Sequence, residues 1–177
     1  MRCWQLERDL ENLRGSGYDN RPVSPQTLGR FGYNCIAYAA SDTSQRWWPD
    51  PEKYKSYWPP HLPREPHNQE TLENFIRAFE WKGYKKCGNG KFKSGIEKVA
   101  IFTNPSTNTP THAARQLESG VWTSKCGYLE DIQHETLTAV EGKTYGRVAV
   151  FLHRRRDGKL FFKERIMASL KKIFKAS

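Results

Sequence analysis

YNCIAYAASD, residues 33–42, follows a segment, Pro22 to Gly32, that holds two prolines and two glycines and reads as loop. Asn34 can cap a helix through its side-chain oxygen, and Ile36, Ala37, Ala39 and Ala40 suit a buried one. Cys35 then takes the first helical position, where unpaired backbone N–H groups favour an anion and lower a thiol pKa. That is how a nucleophilic cysteine is usually presented. A free cysteine is more often a small apolar residue packed under a helix. Only a base elsewhere in the chain separates the two readings.

A base is available in PTHAARQLESGVWTSKCGYLEDIQH, Pro110 to His134. His112 opens a strand expected over Thr111–Leu117, and a Glu118-Ser119-Gly120 turn leads into a second over Val121–Lys125. A cysteine at a helix start with a histidine 77 positions later, on a strand, suits a papain-like cysteine hydrolase.

Composition narrows the alternatives. A chain of 177 residues can bury one real core and is short for two. Six Trp, eight Tyr and nine Phe supply much area for burial. The net charge of +10 invites a nucleic-acid reading, but nine Lys/Arg against two Asp/Glu lie between His153 and Ser177. That segment carries +7 and leaves +3 for the first 152 residues, so nucleic acid is not the expected partner. Four cysteines, Cys3, Cys35, Cys87 and Cys126, follow a charged start, MRCWQLERDLENLR, with no apolar signal region. They read as free thiols in a reducing compartment, the cytoplasm of the producing cell. Cys and His never fall at zinc-ligand spacing, and nothing in the pattern asks for a cofactor. No apolar run approaches the roughly 20 residues that span a bilayer.

Taken in order, Trp4, Leu6, Leu10 and Leu13 recur at helical intervals before Gly15 and Gly17. Arg46 to Pro66 carries Trp47, Trp48, Tyr54, Tyr57, Trp58 and five prolines up to Pro63, too many for helix or central strand. Such a loop serves as a binding wall, as a cover over one side of the core, or as both. Asn68 is placed to cap a helix over Gln69–Lys82, with Leu72, Phe75, Ile76 and Phe79 on one face and Gly83 as its left-handed stop. Short strands are expected at Val99–Thr103 and Arg147–His153 beside the pair around His112. Early helices and late strands with short connections give an α+β domain, the Cys35 helix lying on a C-terminal antiparallel sheet. The domain is drawn as residues 1–153. The remainder, 154–177, reads as a basic amphipathic tail, suited to an anionic membrane or a protein partner or simply packed on the domain.

YNCIAYAASDTSQRWWPD, THAARQLESGVWTSKCG with its later DI and H, and YGRVAVFLHR together resemble a bacterial family with a papain-like, NlpC-type cysteine peptidase/amidase fold. The resemblance covers roughly Trp4 to Arg154. It implies Cys35 as nucleophile, His112 as general base, and a peptide or isopeptide amide as substrate, in an enzyme that could act as a toxin or effector. Where that fold keeps a residue to orient the histidine, this chain offers Ser124 by position, Asp131 by chemistry, and His134 just beyond. The oxyanion hole would use the Cys35 N–H with Asn34 or Gln26. Trp47, Trp48, Trp58 and Trp122 would line the substrate. A reading of another class is a catalytically inactive module of the same fold that holds a partner through the aromatic loop and the tail.

Overall fold

The computed structural model describes residues 10–13, 19–21, 32–50, 55–60, 62, 70–127 and 129–156, with the backbone alone at 19–21. The first helix, α1 (Cys35–Ala39), begins where expected: Asn34 is extended and its side chain accepts the Ala37 N–H at 3.1 Å. Ile36, Ala37 and Ala39 are buried, so packing rather than length stabilises this five-residue helix. The second, α2 (Leu72–Trp81), is capped by the side chain of Thr71 and buries Phe75, Ile76, Ala78 and Phe79. Gly83, at φ 85°, provides the left-handed stop, and the Tyr84 N–H returns to the Phe79 carbonyl. Asn68, the expected cap, lies outside the described residues, as does the first part of the helix expected from Trp4.

Seven strands make one antiparallel sheet among the described residues: β1 (Asp19–Arg21), β2 (Lys85–Cys87), β3 (Ile96–Thr103), β4 (Pro110–Gln116), β5 (Trp122–Lys125), β6 (Asp131–His134) and β7 (Arg147–Arg155). Their order across the sheet is β1-β6-β5-β4-β3-β7-β2. The final strand thus enters between β3 and β2. It also runs past His153, so Arg154 and Arg155 belong to the sheet and not to the tail. An α+β domain with a helix on an antiparallel sheet is what these elements form.

Strand alternation sorts the core into two layers. On one face Val99, Ile101, Ala113 and Leu152 pack against α1, α2, Trp47 and Trp58. On the other, Ala100, Phe102, Ala114, Trp122 and Ile132 pack with Leu10, Leu13, Ala139 and Val140. The ladder slips between Phe102 and Thr103, where Phe102 faces His112 but Thr103 faces Pro110, leaving Thr111 as the extra residue of a bulge.

Candidate active site

Cys35 sits at the start of α1 in the helix-side layer, against Ala113 of β4, with 8% of its surface exposed. Burial raises its thiol pKa, against the lowering expected from a helix start. Hydrogen bonding from the backbone of Ala113, Ile36 and Cys35, with the charge of Arg46, pulls downward without cancelling that penalty. Five residues of helix supply too small a dipole to offset the loss of water.

His112 follows the other parity. Its ring stacks on Tyr145 (centroids 3.9 Å, 10°) and meets the edge of Phe102 at 5.4 Å, both in the opposite layer. It is fully buried, neither ring nitrogen has a hydrogen-bond partner among the described residues, and burial pushes its pKa down to about 3, helped by His134. The expected Cys35–His112 hydrogen bond is therefore not made. Neighbouring residues of one strand point to opposite faces, and here Ala113 takes the place beside the thiol.

Nor do the orienting candidates meet His112. The Ser124 hydroxyl lies 2.9 Å from His134 Nε2, while His134 Nδ1 lies 2.7 Å from the Thr136 carbonyl. A carbonyl only accepts, so Nδ1 carries the proton and Nε2 accepts from Ser124. Burial holds this imidazole neutral, down to about 4. Ser124, 0% exposed, thus orients His134 and not His112. Asp131 lies on the helix side, where Oδ2 accepts the Tyr33 hydroxyl at 2.5 Å. Burial raises its pKa.

Lys125, one residue on from Ser124, is the site member that periodicity concealed. It faces Asp131 across the β5–β6 ladder, lies 5.8 Å over the Tyr33 ring, and donates to the Leu129 carbonyl. Burial lowers its pKa, and the charges of Asp131, Cys126, Glu130 and Cys35 oppose that shift. Lys125 and Asp131 thus act on one another on the helix-side face, with the thiol of Cys35 a smaller influence on the ammonium. All four residues of β5 are buried, so the polar run Thr123-Ser124-Lys125 in a short strand is the signal that could have found it.

Asn34 is engaged at both ends of its amide. Its Oδ1 accepts the Ala37 and Trp47 N–H groups and its Nδ2 gives one of its two hydrogens to the Trp47 carbonyl, so it caps the helix and ties it to Trp47. Gln26, the alternative, and the basic tail from residue 157 on lie outside the described residues. Three of the four tryptophans expected to line a substrate are core: Trp47 and Trp58 are 1% exposed beside α2, and Trp122 is 5% exposed in the opposite layer. Trp48 is half-buried, its ring N–H on Glu70 and its face against Phe75. The described part of the proline-rich segment covers the core.

A cleft of 430 Å³ opens at the other side of the bulge, lined by Asn104, Thr111, Gly146, Lys143 and Arg147 among others. No group of three His, Cys, Asp or Glu residues suited to a metal ion occurs among the described residues. No helix among them is long and apolar enough to cross a membrane.

No curated protein and no solved structure matches the chain. A family model described as a domain of unknown function, DUF7689, matches residues 24–153, which include α1, both helices' contacts with the sheet, and β2 to β6 entire. The chain belongs to the DUF7689 family.

Proposed function

We propose that this domain is a cysteine hydrolase of peptide or isopeptide amides, with Cys35 as nucleophile and His112 as base, on a papain-like scaffold of the NlpC type. The observation that carries the reading is the seating of the thiol: Cys35 opens a helix capped by Asn34, where backbone N–H groups lack helical acceptors, and it packs in one layer with Ala113 of β4. Such donors can receive the negative charge of a thiolate or of a tetrahedral intermediate. Helix before sheet, with the histidine on the strand against which the nucleophile helix lies, is the order this reading requires. His112 keeps both ring nitrogens uncommitted among the described residues, and the Thr111 bulge adjoins it. A one-residue slip reverses the face of a strand residue, so moving the bulge past His112 would turn its ring towards α1. In the conformation described, the pair is at rest: thiol protonated, imidazole neutral.

Burial of the thiol favours a second reading, in which Cys35 is a packing residue and the domain a binding module. Residue-resolved labelling with iodoacetamide separates the two. On the hydrolase reading Cys35 labels ahead of half-buried Cys87 and buried Cys126, and His112→Ala slows it. If Cys87 labels first and His112→Ala changes nothing at Cys35, the thiol is structural. Cys35→Ala should leave the circular dichroism spectrum intact while ending any amide hydrolysis.

A further inference from the structure

Past the far end of α1, the helix-side face gathers three arginines around one carboxylate. Glu97 of β3 has a side chain only 10% exposed. Its Oε1 accepts Arg154 (Nη2 at 2.7 Å, Nε at 2.9 Å) and the Tyr84 hydroxyl at 2.5 Å. Its Oε2 stands 3.8 Å from Arg115 and 3.7 Å from Arg156, beyond hydrogen-bond length. One negative charge therefore faces three positive ones.

Two of the guanidiniums still have donors to give. Arg115 Nε and Arg156 Nε are buried atoms with no hydrogen-bond partner among the described residues. An unpaired charged donor costs free energy that a second anion would remove. The forks are held in place: Arg115 lies 5.4 Å over the Tyr38 ring, Arg154 4.4 Å over Tyr84, and Arg156 Nη2 donates to the Gln116 carbonyl at 2.9 Å. All three side chains remain 20–21% exposed, so the cluster opens to solvent. Exposed Ser41 completes it, accepting Arg115 Nη1 at 2.8 Å and Arg154 Nη2 at 3.4 Å. Ser41 has φ 61°, a left-handed conformation that is uncommon outside glycine and gathers at ligand-binding turns.

We propose that Arg115, Arg154, Arg156 and Ser41 form a binding site for a doubly charged, phosphate-type oxyanion. Two surplus charges match a dianion, and planar guanidinium forks match its oxygens bidentately, which ammonium groups do not. Ser41 lies two residues past the last residue of α1, whereas Cys35 is its first, so this site does not use the thiol and does not rest on the hydrolase reading.

The test uses the full chain. Thermal unfolding is followed in sodium phosphate and in sodium chloride at equal ionic strength, and inorganic phosphate and O-phosphoserine are titrated calorimetrically. Phosphate should raise the midpoint saturably while chloride does not. Arg156→Gln and Arg115→Gln should each weaken phosphate at least tenfold. Tighter binding of O-phosphoserine assigns the site to phosphate monoesters, and tighter binding of inorganic phosphate assigns it to the free ion. Equal midpoints of wild-type protein in the two salts overturn the proposal whether or not a variant folds. So does wild-type phosphate affinity in a folded Arg115→Gln/Arg156→Gln double variant.

Discussion

The two faces of the sheet bury polar groups by opposite means. On the helix side they are charged and paired: Glu97 with its arginines, Lys125 facing Asp131 across the ladder, Asp131 bonded to Tyr33. On the other side two buried imidazoles are neutral, His112 among aromatic rings and His134 satisfied by Ser124 and a carbonyl, and the one buried cation of β3 there, Lys98, is met by the Asn89 carbonyl and not by a carboxylate. A buried charge needs its partner, whereas a neutral ring needs only to stay neutral. The first face should therefore fail when a partner is deleted and the second when the solvent is acidified.

The largest expected effect comes from deleting a partner. Glu97→Gln leaves three guanidiniums without their carboxylate and should cost about 3–5 kcal/mol in urea unfolding. A loss under about 1 kcal/mol would mean that water already serves those arginines, and the contrast between the faces would go with it.

Acid addresses the second face. The unfolded imidazoles titrate near 6.5, the folded ones at about 3 (His112) and about 4 (His134). The unfolded chain takes up protons first, so their contribution is whole above about pH 6.5 and is lost as pH falls towards the folded values. At pH 5 each histidine should have cost about 2 kcal/mol, about 4 together. Asp131, raised by burial, opposes part of this at lower pH, since its protonated form is favoured in the fold. His112→Phe keeps the stacked shape and should recover about half of the loss at pH 5. A wild-type stability curve flat from pH 7 to 5 would show that these rings are not buried neutral in solution.

Two smaller effects sharpen the picture. Ser124→Ala removes the donor to His134 Nε2 and should lower stability by about 1–3 kcal/mol at pH 7, read by chemical denaturation. Equal stability would mean that another donor reaches that nitrogen. On the exposed face of α2, Glu73→Gln breaks the pairs with Arg77 and Lys86 and should shift the same midpoint by no more than about 0.5 kcal/mol.

What the sequence disclosed followed from local rules. Asn34 before Cys35, the apolar stripe of α2 and its Gly83 stop each involve residues within a few positions and stand where those rules put them, although α2 starts at Leu72 under a Thr71 cap and not at Gln69 under Asn68. Four strands were legible within a few residues. β1, β2 and β6 were not, because DNR, KKC and DIQH carry no apolar alternation; they are strands by virtue of their neighbours. The site was less legible. In THAAR the two alanines fit either face equally well, so nothing in the letters says which way His112 points. Trp47 and Trp58 looked like a surface because proline-rich segments usually are one, yet α2 takes their rings into the core.

The place of β7 in the strand order has a consequence for synthesis. β2 pairs only with β7 in this sheet, and β3 pairs with β7 along its whole length. As the chain emerges from the ribosome, α1 can settle on β4 while β3 still presents an open edge, seven of whose eight residues are buried once folding ends. Until Arg147–Arg155 arrives, that edge is a template for any other extended chain. Slow translation between residues 103 and 147 should therefore favour aggregation, and a nascent chain stalled there should bind holdase chaperones through the Ile96–Thr103 segment.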